Sequence, residues 1–116
     1  MKFQFAHGAL LSFAFALTAS SFSGGALAVD DEAAKASMKK SDCTNCHAAD
    51  KDKLGPSYKK IAAKYKGQAD AEGKVTKSIT TGAKFKSADG TEVAHKIINT
   101  KDAKEIKNVV QWILAQ

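Results

Sequence analysis

The chain has 116 residues and a single proline, a length that holds one domain. It carries 18 basic residues, all lysine, against 12 acidic ones, for a formal charge of +6. A basic chain without arginine is a poor candidate for reading nucleic acid, which leans on bidentate guanidinium contacts, and a better one for docking on an acidic protein.

The first segment has the pattern of an export signal. Lys2 supplies the positive start, Phe3 to Leu17 is mostly apolar, and Ser20 to Gly25 leads into Ala26-Leu27-Ala28, an A-x-A cleavage pattern. Residues 1–28 are therefore expected to be a cleaved signal peptide, leaving residues 29–116 as the folded domain. A retained anchor is the rival reading, but the apolar run is short for a spanning helix and its tail is rich in small residues. No later stretch could cross a bilayer, so the mature form is expected to hold no membrane segment. The signal segment contains one lysine and no acid, so the remainder carries +5.

Asp30-Asp31-Glu32 places acid at the start of a first helix, where it suits the helix dipole. That helix runs through Met38 and Lys39 towards Cys43, with Ala34 and Met38 on one face. Cys43-Thr44-Asn45-Cys46-His47 follows and contains both cysteines. This C-x-x-C-H spacing is the signature of covalent c-type haem attachment. The two thiols add across the haem vinyl groups, and His47 sits under the iron as the proximal ligand. Three rivals stand beside it. A thioredoxin-like pair would not need the histidine and would expect a βαβ pattern. A zinc site would have to use Cys43, Cys46, His47 and His95, without finger spacing. A disulfide between Cys43 and Cys46 would close too small a loop to stabilise much. Export agrees with the haem reading, because haem is attached outside the cytoplasmic membrane, which in a bacterium means the periplasm. A domain of about 90 residues only just buries a core, and a large apolar cofactor would help to fill it.

After a polar loop, Ala48 to Lys53, the segment Leu54-Gly55-Pro56-Ser57 breaks the chain. Tyr58, Ile61, Ala62 and Tyr65 then fall on one stripe of a helix, with Lys59, Lys60, Lys64 and Lys66 mainly off it. Gly67 ends that helix. Asp70 can cap the next, which carries Val75 and Ile79 and stops near Gly82. Residues 83–100 are expected to be irregular, with a turn at Gly90, and contain His95. In the last helix Ile106, Val109, Val110 and Ile113 form one stripe, and Trp112 and Leu114 widen it. Thr100 or Asp102 can cap it, and Asp102 with Glu105 has capping-box spacing. No strand pattern competes anywhere.

Taken in this order, the residues resemble the small bacterial class I monohaem cytochromes c over the whole of 29–116. The first helix, CTNCH, the Leu54-Gly55-Pro56 loop, the helix with Tyr58, a third helix, a loop and the terminal helix with Trp112 all match. The resemblance implies an all-α fold of four or so short helices wrapped around one covalent haem c, with the first and last helices crossing. By the same likeness, Met38 packs near Trp112 or Ile113, and the Pro56 carbonyl accepts a hydrogen bond from His47 and so orients it. The chain departs from the family in one respect. The usual axial methionine lies on the loop before the last helix, and Ser87 to Asn99 holds none. Met1 leaves with the signal segment, and Met38 belongs to the core. Counting back from Trp112, His95 falls within about a residue of the family's methionine and is the candidate distal ligand. The alternative is an ordinary loop histidine, with the iron five-coordinate or water-bound. Lys96 comes next, but must first lose a proton.

The resemblance implies a periplasmic one-electron carrier, with its haem potential lowered by bis-histidine ligation and its lysines steering redox partners with acidic docking surfaces. The alternative is a protein that binds or senses oxygen, nitric oxide or carbon monoxide at a labile or open distal site. An enzyme, peroxidase-like or nitrite-reducing, ranks last, because so small a domain offers little beyond the haem to position a substrate.

Overall fold

A computed structural model describes residues 28–87 and 89–116; the expected signal peptide, residues 1–28, lies outside the described residues save for Ala28. Helix α1 spans Asp31–Lys40. The Asp30 carboxylate accepts the Ala33 N–H at 3.0 Å, Asp31 and Glu32 occupy the first turn, and Lys39 and Lys40 occupy the last. Both ends thus match the helix dipole. Ala34, Ser37 and Met38 form its buried stripe.

The terminal helix, α5, spans Ala103–Leu114 and buries Val109, Val110, Trp112 and Ile113. Three contacts lock it to α1. The Asp30 N–H donates to Asn108 Oδ1 and Asn108 Nδ2 returns a bond to the Asp30 carbonyl, each at 2.8 Å. The Trp112 indole N–H donates to the Asp31 carboxylate. The Ser37 hydroxyl donates to the Glu105 carboxylate. That last bond explains why the expected capping box is absent. Asp102 does cap the helix, accepting the Lys104 N–H at 2.8 Å, but its own N–H goes to Thr100 Oγ1. Glu105 is spent on the neighbouring helix, where a charge-assisted bond also satisfies a buried serine.

Between these two lie α2 (Cys43–Cys46), α3 (Tyr58–Tyr65) and α4 (Ala71–Thr81). Ser57 caps α3, which buries Tyr58 and Ala62 and turns its lysines outward. Asp70 stands at the start of α4, yet its carboxylate takes no backbone N–H and pairs with Lys74 instead. Helix α4 ends on Gly82 at φ 64°, the left-handed conformation that glycine adopts cheaply. The buried faces of α1, α3, α4 and α5 meet in one apolar cluster that includes Met38, Tyr58, Trp112 and Ile113, as the resemblance implies for Met38.

One expectation needs correcting. Residues 83–100 are not wholly irregular: β1 (Lys84–Lys86) and β2 (Glu92–Ala94) pair antiparallel, with Phe85 opposite Val93. Strands of three exposed residues carry too little periodicity to register in sequence. What holds them is local, with the turn at Gly90 (φ 84°) and the Ser87 N–H bonded to the Thr91 carbonyl at 2.9 Å. No described helix is long and apolar enough to cross a membrane.

Candidate haem site

The site begins with a backbone reversal. Asp42 has φ 58°, a conformation that aspartate tolerates better than most side chains. It turns the chain out of α1 and into the single turn of α2, which sets Cys43 and Cys46 three residues apart on one side. Both cysteines are free thiols and partly buried, so no disulfide joins them. Burial pushes the Cys43 thiol up and keeps it protonated in the bare polypeptide.

His47 leaves α2 in an extended conformation, its N–H bonded to the Cys43 carbonyl at 3.0 Å. Its Nδ1 lies 2.6 Å from the Pro56 carbonyl oxygen. A carbonyl only accepts, so Nδ1 carries a proton; in the neutral imidazole this leaves the lone pair on Nε2, the tautomer that binds a metal. The loop that brings Pro56 here doubles back under the motif. The Gly55 N–H donates to the Cys46 carbonyl at 2.8 Å, the Tyr58 N–H to Ala48 at 2.9 Å, and the Ser57 N–H to Asp52 Oδ1 at 2.9 Å. Gly55 lies flat against the imidazole, and a Cβ there would come within 2.6 Å of His47 Cε1. Tyr58 stands 5.5 Å from the ring between centroids and meets Trp112 edge-on at 5.3 Å.

His95 follows β2 directly. Its N–H donates to the Ala83 carbonyl at 3.0 Å, extending the hairpin ladder by one bond. Beyond it, the Ile98 N–H bonds to the Ile79 carbonyl at 2.7 Å and the Asn99 N–H to Ser41 Oγ at 2.9 Å. Lys96, the next candidate ligand, directs its ammonium to Asp42 at 3.1 Å. These bonds bring the His95 ring centroid to 6.0 Å from that of His47, with the planes at 42°.

The residues present fit a haem. Two imidazoles bonded to one metal through nitrogens about 2 Å away have ring centres roughly 6 Å apart, the separation found here. Among the described residues two buried polar atoms lack partners, the Tyr58 hydroxyl and His95 Nδ1, although buried polar groups are normally satisfied. Burial also drives the Tyr58 phenol strongly upward, so it stays a neutral donor. Leu54 beside Gly55 and Ile97 beyond His95 are 77% and 55% exposed, as side chains awaiting an apolar cover would be. Among the described residues no three of His, Cys, Asp and Glu are placed to hold a bare ion.

Of the site residues named from the sequence, His47 bonds to Pro56 and stands 6.0 Å, ring to ring, from His95, while Cys43 and Cys46 precede His47 on α2. Sequence reasoning missed Asp42, Gly55 and Phe85, whose ring stands 6.1 Å from that of His95. Gly55 lies in a quoted motif, but its contact with His47 is visible only in three dimensions.

The family model described as cytochrome c matches residues 32–116. Cytochrome c-551 of Pseudomonas aeruginosa is 42% identical over 59 residues, 51% of this chain. The match spans about half the length of that relative, 54%, and 51% of cytochrome c-551 of Pseudomonas denitrificans. Cytochrome c2 of Rhodocyclus tenuis is 36% identical over 88 residues, 73% of this chain and 91% of the relative. Among solved structures, the class 1 cytochrome MtoD from Sideroxydans lithotrophicus is 52% identical and superimposes with a TM-score of 0.73, covering 76% of this chain and 97% of that one.

Proposed function

The chain belongs to the cytochrome c family, and from that premise we propose that it is an exported one-electron carrier whose haem is held between two histidines. Its fold is the class I cytochrome c fold, and its cofactor is one covalent haem c. Haem supplies the one-electron couple; the chain's residues anchor it, tune it and bring it to its partners. Cys43 and Cys46 anchor it as thioethers. His47 is the proximal ligand, aimed by the Pro56 carbonyl and pressed into place by Gly55 and Tyr58. His95 is the distal ligand, and the observation that carries this is the 6.0 Å separation of the two imidazoles.

Replacing a thioether by imidazole, the stronger donor, stabilises the ferric state, so the potential lies below that of a comparable His/Met protein. Electron transfer through the haem edge requires no substrate pocket and no general acid or base. Residues 1–28 direct the chain to the periplasm, and the lysines draw it to acidic redox partners. Electron paramagnetic resonance of the ferric protein tests the ligand set. Wild type should be low-spin, and His95→Ala should convert it to high-spin. A wild-type signal that is already high-spin, or a low-spin signal unchanged in His95→Ala, would remove His95 from the iron.

A second reading draws on one further feature. A cavity of about 420 Å³ opens beside His95, lined in part by Ser41, Lys96, Ile97 and Asn99. It offers room for the distal segment to shift and admit a small ligand. Fast carbon monoxide binding to the ferrous protein would favour a ligand-binding role; resistance to it favours the carrier.

A further inference from the structure

We propose that Phe85 is a positioning residue for the distal ligand, setting the plane of the His95 imidazole and resisting its displacement. The inference rests on His95 being that ligand and assigns the hairpin a role in holding it.

The register supplies the geometry. Phe85 lies opposite Val93, so its diagonal neighbour on the same face is His95, two residues further along. The bond from the His95 N–H to the Ala83 carbonyl continues the ladder and holds the diagonal in place. Across it the two rings lie 6.1 Å apart at 67°, an edge-to-face arrangement within the favourable range for aromatic pairs. His47 is the other aromatic ring close to His95, at 6.0 Å. The charged pair Lys84–Glu92 bridges the opposite face of the hairpin at 2.9 Å, away from Phe85 and Val93.

Phe85 has no comparable role in packing. It is 39% exposed and stands outside the apolar core. Val93, its cross-strand partner, is 40% exposed. A large aromatic residue left half in water, with an imidazole against its ring, is placed for that imidazole.

The test compares the haem-loaded wild type with Phe85→Ala, Phe85→Leu, Phe85→Tyr, Val93→Ala and His95→Ala. Ferric electron paramagnetic resonance reads the relative orientation of the imidazole planes, and carbon monoxide binding to the ferrous protein reads how readily the distal position opens. In Phe85→Ala and Phe85→Leu the low-spin signal should persist with its largest g value shifted, and the binding rate should rise about threefold to tenfold, the range one edge-on aromatic pair supports. Phe85→Tyr should restore both readouts. Val93→Ala removes the cross-strand partner of Phe85 but leaves the ring on His95, and should resemble wild type. If His95→Ala loses the low-spin signal while the Phe85 variants keep wild-type g values and rates, the positioning role is overturned and the ligand assignment stands. If Val93→Ala matches Phe85→Ala, the effect belongs to the hairpin and the role is likewise overturned. An unchanged signal in His95→Ala overturns both.

Discussion

The proximal side of the site is built around a missing atom. Gly55 brings its backbone against the His47 ring, and the three atoms nearest to where a Cβ would stand all belong to that imidazole, the closest at 2.6 Å. Separations under 3 Å cannot persist, so Gly55→Ala must move the ring or the loop, and either movement strains the 2.6 Å bond between His47 and the Pro56 carbonyl. Overpacking of this kind costs about 1–3 kcal/mol. We expect Gly55→Ala to fold with a lower thermal midpoint and to develop high-spin character in the ferric absorption spectrum. A variant with wild-type stability and spectrum would mean that the loop yields without disturbing the imidazole.

Among the elements, the pairing of α1 with α5 brings the ends of the domain together, and much of its polar contact is concentrated at Asp31. That carboxylate accepts from Lys35, one turn along α1, and from the Trp112 indole on α5. The Lys35 bond first, and the Trp112 bond second, hold its carboxyl below the usual range. The sign of the pH dependence follows. Above about pH 4 the carboxyl is ionised in both the folded and unfolded chain, and its contribution is fully present. As the pH falls, the unfolded chain takes up the proton first, and the contribution is lost until the folded form protonates too. Thermal unfolding followed from about pH 7 to about pH 2.5 should show the midpoint falling below about pH 4. Asp31→Asn should start lower at neutral pH and fall less steeply. Parallel curves for the two proteins would remove Asp31 from the account.

For the whole molecule, the excess of lysine is the dominant property. Residues 29–116 carry a net +5 without any arginine, and the α3 lysines face outward. Charge of this kind raises the rate of encounter with an acidic partner far more than it tightens a complex. The electron-transfer rate with an acidic redox protein should therefore fall steadily between about 10 mM and 500 mM salt, as the screening length shrinks from roughly 30 Å to a few ångströms. With a basic partner it should rise. A rate indifferent to salt for both would mean that docking is governed by apolar contact at the haem edge.

The sequence by itself determined the chemistry of the site and the helical frame. Cys43, Cys46 and His47 are close together in the chain, so their spacing alone identifies a covalent haem. The stripes on α1, α3 and α5 are long enough for periodicity to be read, and the cores they form are those expected. His95 could be put forward because the loop before the last helix holds no methionine and its distance from Trp112 suits that place in the family. Only the tertiary structure decided how that residue is held. The β1–β2 hairpin has three residues a side, below the length at which alternation is visible, and exists through pairing between residues up to ten apart. Glu105 left its capping box because a serine on another helix competed for it. Gly55 and Phe85 lie against imidazoles several residues away in sequence. Such contacts arise between side chains whose distance is set by the path of the backbone between them, and local pattern carries no record of that path.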